Sequence, residues 1–127
     1  MNDEVEIYAL LGGEAGVKAL VSSFYQHMQT EPEFEALLAI HPDLERAEKR
    51  LFWFLSGWFG GPELFTEKVG APMLRRRHMG FTVDTQAADD WVACMDKALN
   101  DTVDDLALRE DLHKAFQQMA YHLRQVH

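Results

Sequence analysis

The sequence predicts an all-α domain with four long helices and several short ones. The strand-favouring residues Val, Ile and Thr together number only 15 of 127, whereas Ala, Leu, Glu, Asp and Met dominate. Apolar residues also recur at intervals of three and four in four long segments, which is the spacing of one helix face. The length suits one domain, so we predict that residues 1–127 form a single unit.

The first long helix is predicted over about residues 14–29, after a short opening turn or stub helix. Its apolar face consists of residues three and four apart: Val17, Leu20, Val21, Phe24 and Met28. Tyr25 lies beside this stripe and is expected to face the interior. A capping box at Thr30-Glu-Pro-Glu33 then begins a short helix, which ends near Ile40 because His41-Pro42 interrupts it.

The central helix is predicted to begin after Asp43, whose carboxylate can cap it, and to end at Gly60-Gly61-Pro62. Its stretch 51–59 is unusually aromatic, which indicates that more than one face is covered. A loop through Val69-Gly70 follows. The predicted buried face of the central helix consists of Leu44, Ala47, Leu51, Phe54, Leu55 and Trp58.

Two further long helices follow. Asp84 is the predicted cap of the first, and residues 100–105 form a polar break before the second. The inward positions of the first are Ala88, Trp91, Val92, Met95, Ala98 and Leu99. Those of the second are Leu108, Leu112, Phe116, Met119 and Leu123.

A short helix is predicted between Pro72, which suits a first helical turn, and Gly80, which suits a helix end. Leu74 and His78 are four residues apart and share its face. A neutral imidazole nitrogen is a good iron ligand, and the three arginines at 75–77 can meet an anionic group. The simpler interpretation also stands: His78 interacts with the helix dipole, and one or two of the arginines are merely solvated.

Several classes of function are disfavoured by composition and motif. A formal net charge of −9 opposes general nucleic-acid binding. One Cys and no HxxxH pair oppose a zinc site, and no GxSxG elbow, phosphate loop or Glu-x-x-His pair is present. No apolar run approaches the roughly 20 residues that span a bilayer. With no signal-like start and a lone Cys94, we expect a soluble cytoplasmic protein.

An aromatic helical core with one helix-terminal His and adjacent cations suits haem. Haem needs a wide apolar slot, an axial nitrogen for its iron and cations near its propionates. The residues are consistent with that cofactor without requiring it, so a helical bundle of unknown role also remains open at this point.

Beyond these patterns, the sequence resembles the group II truncated haemoglobins, which have a two-over-two helical sandwich. The resemblance runs along nearly the whole chain. Its most specific part is Gly60-Gly61-Pro62 followed by Leu74-Arg-x-Arg-His78, with Trp91 in its expected place. The other matching pieces are Leu11-Gly-Gly13, Phe24-Tyr25, His41-Pro42, the aromatic stretch 51–59, Gly70 to Phe81, and 91–96.

The resemblance implies a role for each matching residue. His78 falls on the proximal iron ligand of a haem b, and Arg77 on the propionate-contacting arginine. Tyr25, His41 and Trp91 fall on the distal positions and imply a cage of hydrogen-bond donors. Ala47 and Leu51 face the sixth coordination site, and Ala47 occupies the position of a familiar distal histidine. The remaining haem contacts implied are Leu74, Phe54, Met95 and Phe81.

Three functional classes follow. The first is a haem protein that binds oxygen and other diatomic ligands, nitric oxide and carbon monoxide. The second is a haem enzyme for nitric oxide dioxygenation or peroxide chemistry, which needs a reductase partner. The third is a haem-free helical interaction module. Neither a nucleic acid nor a membrane is an expected partner, and either a monomer or a homodimer is compatible with the sequence.

Overall fold

A computed structural model of the chain describes residues 3–69 and 84–123. Within these ranges the chain is helical, with no strand. We number the α-helices in chain order, and a 3-10 turn (Pro32–Phe34) precedes the third. They are α1 (Asp3–Leu10), α2 (Gly13–Thr30), α3 (Glu35–Ala39), α4 (Leu44–Trp58), α5 (Leu64–Val69), α6 (Thr85–Thr102) and α7 (Leu106–Leu123).

Two pairs of long helices form the fold, α2 with α4 and α6 with α7. Helix α2 packs most extensively against α6, and this packing joins the pairs into the predicted two-over-two sandwich. The core lies between the pairs, where Phe24, Leu55, Leu99 and Phe116 are almost completely buried. Burying such side chains is the main favourable term in folding, at about 1.5–3 kcal/mol each.

Both predicted aspartate caps are confirmed. The Asp43 carboxylate accepts a hydrogen bond from the Arg46 backbone N–H at 3.1 Å, and the Asp84 carboxylate accepts one from Ala87 at 2.8 Å. Each satisfies a backbone donor that a helix start leaves without a partner. These caps determine where α4 and α6 begin.

The predicted capping box is wrong. Thr30 is the last residue of α2, and its hydroxyl donates to the Gln26 carbonyl at 2.8 Å instead of capping a following helix. Glu31 is extended, with φ −102° and ψ 123°, and the 3-10 turn begins at Pro32. Residues 64–69, predicted as a loop, form the short helix α5.

A tight corner follows α4. Gly60 has φ 92°, a left-handed conformation that glycine adopts without strain. The Gly61 backbone N–H donates to the Ser56 carbonyl at 2.8 Å, and Tyr8 of α1 donates its backbone N–H to the Phe59 carbonyl at 3.0 Å. The Tyr8 ring occupies the space that a Cβ on residue 61 would need. Helix α1 is therefore fastened to this corner.

Among the described helices, none combines the length and the apolar character that crossing a bilayer requires.

Candidate functional site

A buried tyrosine forms one side of the candidate site. Tyr25 lies on α2 with 4% of its surface exposed, and its ring meets Phe24 edge-on at a centroid distance of 5.0 Å. Burial raises the pKa of the Tyr25 hydroxyl far above its ordinary value, and the nearby charge of Glu48 raises it further. The hydroxyl therefore stays protonated at neutral pH and is available as a donor.

The donors of Tyr25 and Trp91 have no acceptor within the described part of the chain. No hydrogen bond there involves the Tyr25 hydroxyl, and none involves the Trp91 indole N–H. Among the described residues, neither atom belongs to the fully shielded side-chain donors that lack a partner, so both are available to a group that enters the space beside them.

Trp91 and Tyr25 approach each other through a shared neighbour. Trp91, half-buried on α6, lies 5.3 Å from Phe24 between ring centroids and 5.5 Å from Phe116. Because Phe24 also contacts Tyr25, one fully buried ring positions both donors. The predicted grouping of positions from α2 and α6 therefore occurs in the fold.

His41 joins the same cluster from the segment before α4. Its ring centroid lies 6.2 Å from that of Tyr25, at an interplanar angle of 77°. Its Nδ1 lies 2.8 Å from the Leu37 carbonyl oxygen. A carbonyl only accepts, so Nδ1 carries the proton and, in the neutral ring, Nε2 is an acceptor. The sequence had indicated only that His41 offers an N–H; here that N–H is engaged by the backbone.

The apolar stripe of α4 differs from its prediction. Leu55 is fully buried, but Ala47, Leu51, Phe54 and Trp58 are only half-buried. Their spacing of four, three and four residues puts them along one side of the helix. This stripe packs against the edge of the core without being enclosed by it. A helix face of this kind suits contact with a flat apolar group.

The other predicted cofactor contacts divide into two sets. Met95 is completely buried within the core cluster. Leu74, Arg77, His78 and Phe81 lie outside the described residues, so the predicted iron ligand and propionate contact stay predictions.

Two features of the cluster were missed in the sequence. One is the contact between the Leu37 carbonyl and His41 Nδ1, which determines which ring nitrogen of His41 carries the proton. Its only signal in the sequence is that the two residues are four apart at the end of a short helix. Cys94 donates its thiol to the Phe24 carbonyl at 3.2 Å. Burial raises the pKa of the Cys94 thiol to about 12, so it is an inert core residue and not a reactive one.

Comparison with known proteins agrees with this architecture. A family model described as bacterial-like globin matches residues 6–125. The group 2 truncated hemoglobin YjbI of Bacillus subtilis is 35% identical over 112 residues, which are 87% of this chain and 83% of that protein.

Solved structures agree as well. The cold-adapted truncated hemoglobin of the Antarctic bacterium Pseudoalteromonas haloplanktis has a TM-score of 0.91 at 47% identity, covering 94% of this chain and 98% of that one. The truncated oxygen-avid haemoglobin of B. subtilis has a TM-score of 0.82 at 31% identity, covering 98% and 100%. The chain therefore belongs to the bacterial-like globin family, as a group II truncated haemoglobin, and this is a family of haem globins.

The family implies a haem iron cofactor, and the described residues fit one. The half-buried stripe of α4 offers the apolar surface that a porphyrin face requires. The donors on Tyr25 and Trp91 would suit a small polar ligand of the haem iron. This agreement rests on the chemistry of the residues present.

Proposed function

We propose that the chain binds oxygen, and likewise nitric oxide and carbon monoxide, at the iron of a haem b. In this proposal His78 is the proximal iron ligand and Arg77 contacts a propionate. The support is the sequence pattern around His78, together with the family and the chemistry of the residues on α2, α4 and α6. The whole chain, residues 1–127, is proposed to act as one domain.

The proposed haem-binding walls combine aromatic and aliphatic residues. Helix α4 contributes the half-buried Leu51 and Phe54, which are three residues apart on one face. Haem supplies the iron atom to which a diatomic gas binds. The chain excludes water around it and holds it in one orientation. The remaining proposed contacts are Leu74, Phe81 and Met95.

The observation that carries the distal part of the proposal is the pair of donors without an acceptor. Trp91 is the stronger candidate, because an indole N–H can only donate and no acceptor among the described residues competes for it. A hydrogen bond to a group with developing charge contributes about 1.5–3 kcal/mol. Because about 1.4 kcal/mol is a factor of ten, Trp91 alone would slow oxygen release roughly tenfold to a hundredfold.

In this proposal Tyr25 contacts the bound gas and His41 positions Tyr25. The Tyr25 hydroxyl has one proton to donate to the gas. The His41 ring, held by the Leu37 carbonyl, packs edge-on against the Tyr25 ring. Tyr25 contributes less to ligand retention than Trp91, and His41 contributes by orienting Tyr25 instead of by donating. Ala47, which carries no donor, leaves the ligand space open on the α4 side.

Slow release suits capture of a gas or its reaction better than delivery. Nitric oxide dioxygenation or peroxide chemistry remains the alternative proposal. Turnover by that route needs a separate reductase, because oxidised iron must be reduced between cycles. Sustained formation of nitrate from nitric oxide and oxygen with an external reductant is its test. A cytoplasmic location fits the single buried Cys94, since a reducing compartment keeps such a thiol free.

An absorption spectrum of the purified protein tests the proposal. We expect a Soret band, a shift of that band when carbon monoxide is added to the reduced protein, and a reversible change with oxygen. Protein purified from haem-sufficient cells without a Soret band, and unable to take up added haemin, would contradict the proposed cofactor. A Soret band that does not respond to carbon monoxide would contradict ligand binding.

A further inference from the structure

A polar cluster that contains none of the proposed haem contacts joins the end of α2 to the end of α6. The Asp101 carboxylate accepts a hydrogen bond from Ser23 Oγ at 3.0 Å, and the same oxygen lies 2.6 Å from His27 Nε2. The other ring nitrogen of His27, Nδ1, contacts the carboxylate of Glu31, the residue that follows α2. These contacts hold the last two turns of α2 against α6.

The surroundings of the His27 ring favour its charged form. A carboxylate only accepts hydrogen bonds, and a neutral imidazole has one N–H and one nitrogen lone pair. Both ring nitrogens of His27 face carboxylate oxygens, so only the charged ring can donate to both. Burial lowers the pKa of His27, but hydrogen bonds to Asp101 and then Glu31 outweigh this, and the net pKa is raised. Loss of the proton would leave a lone pair facing one of the two carboxylates.

The charges around this ring alternate in sign. Lys97 lies one turn before Asp101 on α6, contacts Glu31, and reaches Glu33 of the 3-10 turn at 2.8 Å. The charged groups of the cluster besides the ring are Asp101, Lys97, Glu31 and Glu33. With His27 charged, three carboxylates face two cations, and with the ring neutral they face one. Deprotonation therefore removes a cation from a cluster that already has excess negative charge.

The turn of α2 that this cluster holds also carries a proposed distal donor. Tyr25 lies between Ser23 and His27, and residues two apart on a helix are about 200° apart, so Tyr25 projects from the opposite side. Phe24, on the same turn, lies 5.3 Å from Trp91 of α6 between ring centroids. The placement of both donors therefore depends on how this turn of α2 packs on α6.

We propose that His27 is a positioning residue for the gas site, and that its protonation, through the contact with Asp101, makes oxygen release depend on pH. The proposal rests on the proposed gas-binding function. Charged His27 holds the turn against α6, so Tyr25 and Trp91 keep their positions beside the ligand and release is slow. Neutral His27 holds the turn less firmly, and release is faster. Release therefore accelerates as the pH rises through the pKa of His27 in the folded protein.

Stopped-flow measurement of oxygen release from the full-length, haem-loaded protein, between about pH 6 and about pH 9, tests the proposal. We expect wild-type release to accelerate about two- to fivefold along a single titration curve, the size expected for partly exposed ion pairs. His27→Gln should release oxygen at the wild-type high-pH rate throughout. Asp101→Asn should keep the dependence but move its midpoint to lower pH, because one partner of the ring loses its charge.

His113→Gln is the matched control. His113 Nδ1 also contacts a carboxylate of α6, that of Asp96 at 2.7 Å, but this pair joins α6 to α7 instead of α2. We expect the wild-type pH profile in this variant. The absorption spectrum of each variant checks that it folds and holds haem.

Two spectroscopic measurements separate positioning from a purely structural role. The NMR titration of the His27 ring should have the same midpoint as the kinetic profile. The carbon monoxide stretching band of the reduced protein should shift over the same pH range in the wild type and stay constant in His27→Gln.

Three results would overturn the proposal. The first is wild-type oxygen release that does not change with pH, and the second is a wild-type profile in His27→Gln. The third is loss of the profile in both His27→Gln and His113→Gln, which would assign it to surface charge in general. Each of these results requires a wild type that binds oxygen reversibly. A wild type without a Soret band or a response to carbon monoxide contradicts the proposed function instead.

Discussion

Replacement of Trp91 by phenylalanine should release bound oxygen much faster while leaving the fold intact. The six-membered ring of phenylalanine can keep most of the contacts with Phe24 and Phe116, which lie 5.3 and 5.5 Å from the indole between ring centroids. The indole N–H is lost, and no described residue used it. The structural cost is therefore partial loss of packing, which we expect to be about 1 kcal/mol for a half-buried ring.

The expected kinetic effect is larger than the structural one. Loss of a charge-assisted hydrogen bond of about 1.5–3 kcal/mol corresponds to release that is roughly ten to a hundred times faster. Stopped-flow displacement of oxygen by carbon monoxide measures this rate, and denaturant unfolding measures stability in the same samples.

Trp53→Phe is the matched control. Trp53 is also half-buried and lies on α4, but its ring has the Lys68 ammonium over it at 5.3 Å, and it is outside both the proposed distal cluster and the apolar stripe of α4. We expect oxygen release within about twofold of the wild type in this variant. The reasoning is refuted if Trp91→Phe changes release by less than twofold, or if both tryptophan variants accelerate it equally.

Three further outcomes are expected. Tyr25→Phe should accelerate oxygen release by less than Trp91→Phe does. It should lower the free energy of unfolding by about 0.5 kcal/mol or less, because the Tyr25 hydroxyl has no hydrogen-bond partner among the described residues. A loss above about 2 kcal/mol would show that the hydroxyl stabilises the fold instead. Gly61→Ala should lower the free energy of unfolding by about 1–3 kcal/mol, because the added Cβ would lie 2.4 Å from the Tyr8 ring. In a double-mutant cycle, Tyr8→Ala should remove most of this cost, and additive effects of the two substitutions would contradict the clash. His27→Gln should destabilise most near pH 6 and progressively less as the pH rises above 6.5, as measured by urea unfolding across that range; a difference independent of pH would contradict it.

The sign of the His27 effect follows from its surroundings. Burial lowers the pKa of His27, but hydrogen bonds to Asp101 and then Glu31 outweigh this, and the net pKa is raised above 6.5. The ring donates to Asp101 from Nε2 at 2.6 Å and to Glu31 from Nδ1, so its charged form is favoured in the folded chain. This stabilisation is present below the unfolded pKa and is lost as pH rises through the folded pKa. The contact joins the end of α2 to α6.

The long helices were predictable because their signals are local. The apolar residues of α2 recur at three and four over about three turns, from Val17 to Met28, and the caps Asp43 and Asp84 act on backbone groups three residues away. Helix α5 was missed because six residues between a proline and a glycine carry too few turns to show a period. The capping box failed because Thr30 can bond back to Gln26 as readily as forward, and tertiary packing decides between them.

The site residues stay a prediction, but part of their arrangement can be compared with the structure. Resemblance to a family indicated Tyr25, His41 and Trp91; in the fold Tyr25 and Trp91 both contact Phe24, and His41 contacts Tyr25. It did not indicate that His41 donates to the Leu37 carbonyl, because that contact depends on the geometry of one turn at the end of α3. The stripe of α4 was expected to be buried, yet Leu51 and Phe54 are half-buried. Amphipathic spacing identifies an apolar face without specifying whether protein or a cofactor covers it.

The most direct test of the account is haem retention and the ferrous spectrum of His78→Ala, with and without added imidazole. If His78 binds the iron, the variant should lose most of its haem or give an altered ferrous spectrum, and imidazole should restore a spectrum close to that of the wild type. Full haem content and a wild-type ferrous spectrum in His78→Ala without imidazole would contradict the account.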